Sequence, residues 1–244
     1  LFRSIRAADG GYVILAAPQV SNQGTISANA GTAALAAGSK VTLATGSDGL
    51  INLTVDAAAL NALASNSGTL AANGGNAIMA AKGVDAAALV VNNTGIVQAQ
   101  GLVSRNGVIR LEGGDTGIVS NSGTVDASST VGKGGDIVVT GQKVGMFDNA
   151  VVSANGATGG GNINIGGSKL GAGPLPNSQA VYVAPTAQIK ANATTQGDGG
   201  KVIVYADDSA KIYGSISATG AGTGKGGFVR SEEHTSELQS LSHL

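Results

Sequence analysis

The 244-residue chain has no cysteine, no tryptophan, four prolines, three phenylalanines and four tyrosines. Without cysteine there is neither a disulfide framework nor a thiolate metal site. Both histidines, His234 and His243, fall near the very end, so residues 1–229 hold no Ser-His-Asp triad and no histidine metal cluster. Charged residues make up only 12% and the formal net charge is −1, which writes neither a nucleic-acid surface nor an acidic interaction tail. Gly, Asn or Asp breaks every apolar stretch before the roughly 18 residues of a membrane span, so no stable membrane insertion is expected. What the chain does have is 40 Gly within a 42% hydrophobic composition. No Gly-X-Y period is present, which excludes collagen, and steady Val, Ile and Leu argue against disorder.

A seven-residue pattern, Asn-x-Gly-x-aliphatic-x-Ala, occurs at 22–28, 66–72, 93–99 and 121–127. Shorter versions end at Ala154, Ala191 and Ala218. The aliphatic centres Ile26, Leu70, Val97, Val125, Val152, Ile189 and Ile216 are spaced by 44, 27, 28, 27, 37 and 27 residues, so the unit is 27 residues long with two insertions. Between these motifs lies a second one, a Gly pair or Asn-Gly followed by an alternating aliphatic run, as in Gly134-Gly135-Asp136-Ile137-Val138-Val139. Each reads as a turn followed by a period-two strand, and no helical period is sustained.

One such unit has too few large aliphatics to offset the entropy of ordering its backbone. Stacked units bury their aliphatics on one another and pair their backbones at about 4.8 Å per rung. The expected fold is therefore all-β, a parallel β-helix of roughly eight rungs, with a shaft on the order of 40 Å. Small Ala at the motif end suits a narrow interior. Asn22, Asn66, Asn93 and Asn121 recur in register, as a side-chain ladder or as left-handed turn residues, with a structural role in either case.

The two long steps predict insertions. The first contains Asp56-Ala-Ala-Ala-Leu60-Asn-Ala-Leu63-Ala64, whose Asp cap and helix formers predict a turn or two of helix. The second holds Pro174, Pro176 and Pro185 and predicts an extruded loop. Loops leaving a solenoid face often carry recognition, so Leu170, Pro174, Leu175, Pro176 and Asn177 are the candidate contact residues; a plain spacer is the competing reading.

Parallel β-helices also host enzymes that cut polysaccharides, which need converging carboxylates. Asp207-Asp208 is the one adjacent acidic pair before the last fourteen residues. Adjacent strand residues point to opposite faces, so it reads as a solvated turn, and the chain reads as no enzyme, with no catalytic, cofactor-binding or metal-binding residue. Gly220 to Gly226 lacks the first Gly and the Ser or Thr of a phosphate loop and reads as a turn. Gly113-Gly114-Asp115 and Gly134-Gly135-Asp136 are isolated, unlike tandem calcium-binding nonapeptides.

The character of the sequence changes at Ser231. All fourteen basic residues precede it, whereas three of the fifteen acidic ones follow, so residues 1–230 carry a net charge of +2. Over eleven positions from Arg230 the run resembles the one-frame translation of a common sequencing adapter. Residues 230–244 are accordingly expected to be an unstructured artefact that interrupts the strand begun by Gly226-Gly227-Phe228-Val229. The opening Leu1-Phe2-Arg3-Ser4 has neither Met nor a hydrophobic signal core, and the expectation is a fragment of a longer protein whose uncapped ends promote aggregation.

The stretch from Gly10 through Pro18 and Asn22 to Ala28 resembles the filamentous haemagglutinin family, the adhesins exported by bacterial two-partner secretion. Residues 10–55 resemble the end of that family's N-terminal secretion domain. Residues 121–229, including Gly171 to Asn177 and Ala206-Asp207-Asp208, resemble the β-helix that follows it. The resemblance implies a right-handed helix, with 1–55 closing the secretion domain and 56–229 continuing the shaft. It further implies export through an outer-membrane transporter partner, location at the cell surface, and attachment to a host or bacterial receptor or glycan. The family's Asn-Pro-Asn export determinants have no counterpart here, since the chain contains no Asn-Pro. A carbohydrate-active enzyme and the stalk of a contact-dependent toxin are the alternative functions.

Overall fold

The computed structural model describes residues 4–103 and 105–233, and its architecture is that of a parallel β-helix. Two parallel sheets of eight strands and one of seven carry the chain around the axis. A representative coil runs through Asp136–Thr140, Lys143–Met146 and Val151–Ser153, one strand in each sheet, before Asn162–Ile165 begins the next. The remaining sheet is an antiparallel hairpin, Lys40–Thr45 with Ile51–Ala57.

The repeat centres stack in a single line. Ile26 pairs with Leu70, Leu70 with Val97, Val97 with Val125, Val125 with Val152, Val152 with Ile189 and Ile189 with Ile216. Ile5 extends the line by one more rung, at a spacing of 21 that the repeat did not announce. Ile26 through Ile189 in this column are buried, as are the motif alanines Ala28, Ala72, Ala99, Ala127, Ala154 and Ala191. Alternation in the Gly-pair strands sends Ile109, Ile137, Ile163 and Val202 into the same core, while Arg110, Val138 and Asn164 point out. The glycine of the repeat is a close-approach residue: a Cβ on Gly95 would run into the carbonyl oxygen of Gly68, and one on Gly123 into that of Gly95.

The four motif asparagines form a ladder. Nδ2 of Asn22 donates to Oδ1 of Asn66 at 2.8 Å, Asn66 to Asn93 at 2.8 Å, and Asn93 to Asn121 at 2.7 Å. None of the four adopts a positive φ, so the left-handed alternative does not apply. The column stops where Met146 takes the fifth position and its sulfur lies 3.7 Å from Asn121 Nδ2. A second ladder, unforeseen from sequence, occupies the position after the motif Ala. Asn29 accepts from the Asn73 N–H, Asn73 from Gln100, Asn155 from Asn192 and Asn192 from Thr219.

The first long step is not helical. Asp56 and Ala57 finish the hairpin, and Leu63 opens the next rung. The alternating Val41-Thr-Leu43 and Leu53-Thr-Val55 flank a turn at Asp48-Gly49, with Gly49 at φ 78°. Leu53, Val41 and Val55 then pack on Ala34, Ala36, Ile78 and Ala80, the outer face of the sheet. Burying that apolar face favours strands and overrides the helix propensity of the alanines nearby.

The expectation of an unstructured segment from Arg230 is corrected as far as Glu233. Phe228–Glu233 is a strand paired in parallel with Lys201–Ala206, so Arg230, Ser231, Glu232 and Glu233 continue the sheet. Sheet pairing uses backbone groups, and an open edge strand accepts a neighbour of almost any composition. The adapter-like residues 234–244, with both histidines, lie outside the described residues.

Candidate functional site

The predicted recognition loop leaves the solenoid after Asn162–Ile165 and returns at Ala180–Val183. Its base is closed by the Ser178 N–H donating to the Gly166 carbonyl at 2.6 Å, and by the buried Ser178 hydroxyl donating to the Gly141 carbonyl at 2.7 Å. Turning back over the sheet takes several left-handed residues: Gly166 at φ 80°, Leu170 at φ 61° within the 3₁₀ turn Lys169–Gly171, and Gly171 itself at φ 63°.

The five candidate residues divide by role. Leu170, Pro174 and Pro176 are exposed and Leu175 is half-buried. Asn177 is instead an anchor, its Nδ2 donating to the Gly171 carbonyl and to Asp207 Oδ1, both at 3.2 Å. The Tyr205 hydroxyl donates to the same carboxylate oxygen at 3.0 Å. Burial first, then the hydrogen bond and charge of Asp207, then the charge of Glu232, hold the Tyr205 phenol above its ordinary pKa. The loop is thus a cover clamped onto Tyr205. Glu232 reaches it from the strand beside it, accepting the Leu170 N–H at 2.8 Å.

This arrangement separates the two adjacent carboxylates. Asp207 and Asp208 lie in the bend between Lys201–Ala206 and Ser209–Ile212, as expected of a turn. Asp208 is exposed, but Asp207 is engaged by two side chains rather than solvated. Gly220 to Gly226 is a turn. Among the described residues no three His, Cys, Asp or Glu side chains converge on a point.

A surface feature of another kind was not legible in the sequence. The rings of Phe147, Tyr182 and Tyr213 form a stripe over three rungs of the seven-stranded sheet, with centroids 5.6 Å and then 6.0 Å apart. Only Tyr182 sits within a strand; Phe147 and Tyr213 each follow one, and the Phe147 ring folds over Gly145, the rung partner of Tyr182. Their spacings of 35 and 31 therefore match no repeat period. The one sequence signal was Gly145, a gap in a strand otherwise built of side chains.

Three parallel sheets wound about one core define a solenoid, and a comparison of structures gives it a counterpart. The chain is similar to the HMW1 secretion domain from Haemophilus influenzae, with 30% identity and a TM-score of 0.76. The likeness covers 92% of this chain and 60% of that one, so the chain spans less than two thirds of the domain it matches. No family model matches the sequence, and neither does any curated protein. No helix among the described residues is long and apolar enough to cross a membrane.

Proposed function

We propose that the chain is a structural and adhesive segment of a large bacterial surface protein exported by two-partner secretion. It would wind right-handed through roughly eight rungs, making a shaft on the order of 40 Å that presents loops for attachment. The reading is supported by the alignment of the seven repeat centres in one column together with the likeness to a secretion domain. Export would pass through an outer-membrane transporter, leaving the protein at the cell surface. Residues 1–55 would close the secretion domain and 56–229 form the shaft, a functional division only, because Thr32–Ala37 pairs with Asn76–Ala81 across it. The exposed Leu170, Pro174 and Pro176, held by the Asn177 anchor, would form one contact edge of the shaft.

The test is adherence. Beads coated with the purified chain should attach to host or bacterial cells more than beads coated with an inert protein, while acidic polysaccharides incubated with it stay intact. Sustained polysaccharide turnover would overturn this reading in favour of a carbohydrate-active enzyme.

A further inference from the structure

Of the six aromatic side chains among the described residues, three gather in the stripe on the seven-stranded sheet. Tyr213 is 61% exposed and Phe147 38% exposed, an unusual outlay for a chain with so few rings. A groove of about 300 Å³ lies alongside, lined by Gly145, Phe147, Ala180 and Tyr182 together with Lys143 and Lys211. Neither lysine has an ion-pair partner among the described residues, and the nearby carboxylates Asp148 and Asp208 do not line the groove. Contiguous exposed apolar surface with a few placed polar groups marks a binding site more often than an accident of packing.

We propose that this groove binds an acidic polysaccharide carrying one carboxylate per disaccharide. The glycan lies along the solenoid axis, its sugar faces on Phe147, Tyr182 and Tyr213 and its carboxylates at Lys143 and Lys211. Neighbouring rungs lie about 4.8 Å apart, comparable to the length of one sugar ring in an extended chain. The ring stripe follows the same direction at nearly the same step, so successive C–H faces meet successive rings. Lys143 pairs with Ala180 and Ala180 with Ser209, so Lys211, the rung partner of Tyr182, stands two rungs from Lys143, about 10 Å along the axis, and two residues further along its strand, roughly 7 Å to the side. The axial component of that separation corresponds to one charge per disaccharide. A polysulfated chain carries several times that density and would call for a cluster of cations rather than two. A second copy of this chain docked face to face would set lysine against lysine.

The inference rests on the adhesin reading for its biological setting, and its test does not. The purified chain is titrated calorimetrically with a hyaluronan decasaccharide, a heparin fragment of equal length, and neutral cellohexaose. Saturable hyaluronan binding is expected, preferred over both controls and weakening with salt. Tyr213→Ala, at an exposed position where folding is not at stake, and Tyr182→Ala should each weaken it about tenfold. Lys143→Gln with Lys211→Gln should weaken it about tenfold and flatten the salt dependence. The assignment is overturned if hyaluronan does not bind, if heparin or cellohexaose binds as well, or if the variants bind unchanged. A dimer that Tyr213→Ala dissolves would overturn it too, showing the stripe to be a self-interface. Loss of groove binding with adherence intact removes only this inference; hyaluronan cleavage at the same groove would keep the site and remove the adhesin reading.

Discussion

The asparagine ladder is directional, and that makes its members unequal. Each Nδ2 donates toward the next rung, so removing an interior Asn deletes two bonds and strands the acceptor beyond it. Asn93→Ala loses the bond received from Asn66 and the bond given to Asn121, and leaves Asn121 Oδ1 buried without that donor. At about 1 kcal/mol net per bond and about 1–3 kcal/mol for an orphaned buried acceptor, the cost is about 3–5 kcal/mol. Asn121→Ala removes an amide of the same size at the end of the column. It deletes one ladder bond, strands only a weak sulfur acceptor, and leaves Asn93 Nδ2 its 3.4 Å contact with the Gly95 carbonyl. Its cost is about 1–2 kcal/mol. Guanidinium unfolding followed by far-ultraviolet circular dichroism compares the two directly. Equal destabilisation would refute the directional account and reduce both effects to lost packing. Asn93→Asp adds a check with a sign: a buried carboxylate facing Asn121 Oδ1 must be protonated to donate, so its folded pKa is raised. The variant should be most stable in acid and lose stability as pH rises through that value.

Gly95→Ala places a methyl group against the Gly68 backbone and should cost about 1–3 kcal/mol, read as a lowered unfolding midpoint; an unchanged midpoint would show that the rungs can spread. Leu53→Ala empties the contact under the hairpin at a fully buried position and should cost about 2–5 kcal/mol, most of it local, seen as accelerated proteolysis within residues 40–57 while the sheets stay protected. The raised pKa of Tyr205 makes the loop cover sensitive to alkali. Its stabilisation is complete below the ordinary phenol value near 10 and is lost as pH climbs toward the raised one. Protection of residues 166–178, taken relative to the intrinsic base-catalysed exchange rate, should therefore fall in that window, and Tyr205→Phe should abolish that fall.

The parts of this molecule that repeat with one kind of residue could be read from sequence, because a side chain that lies on its own counterpart must recur at the coil length. Hence Ile26 to Ile216, the asparagine ladder and the Gly95 column were visible, whereas the second ladder escaped because its position holds Asn73, Gln100, Ser128 and Thr219 by turns. Features made once were not visible either. The hairpin was masked by Ala57 to Ala59, whose helix preference is outweighed by the apolar sheet face that Leu53 covers. Arg230 to Glu233 looked foreign in composition, yet backbone pairing to Lys201–Ala206 does not consult composition. Asn177 read as a contact residue of a Pro-rich loop because nothing nearby in sequence announces its partner Asp207, thirty residues on. The aromatic stripe joins a strand residue to two that follow strands, so no single register could reveal it.

The amide column ends at Met146, and beyond it the inner corner of the solenoid is held by aliphatic packing such as Val183 over Met146. The solenoid is therefore held differently along its length at this one corner. Dispersion contacts are individually weak and undirected, whereas hydrogen bonds in a chain polarise and strengthen one another. At this corner the coils after Met146 would yield to strain more readily than those from Asn22 to Asn121, while backbone pairing in the three sheets and the Asn155–Asn192–Thr219 contacts hold the later coils together.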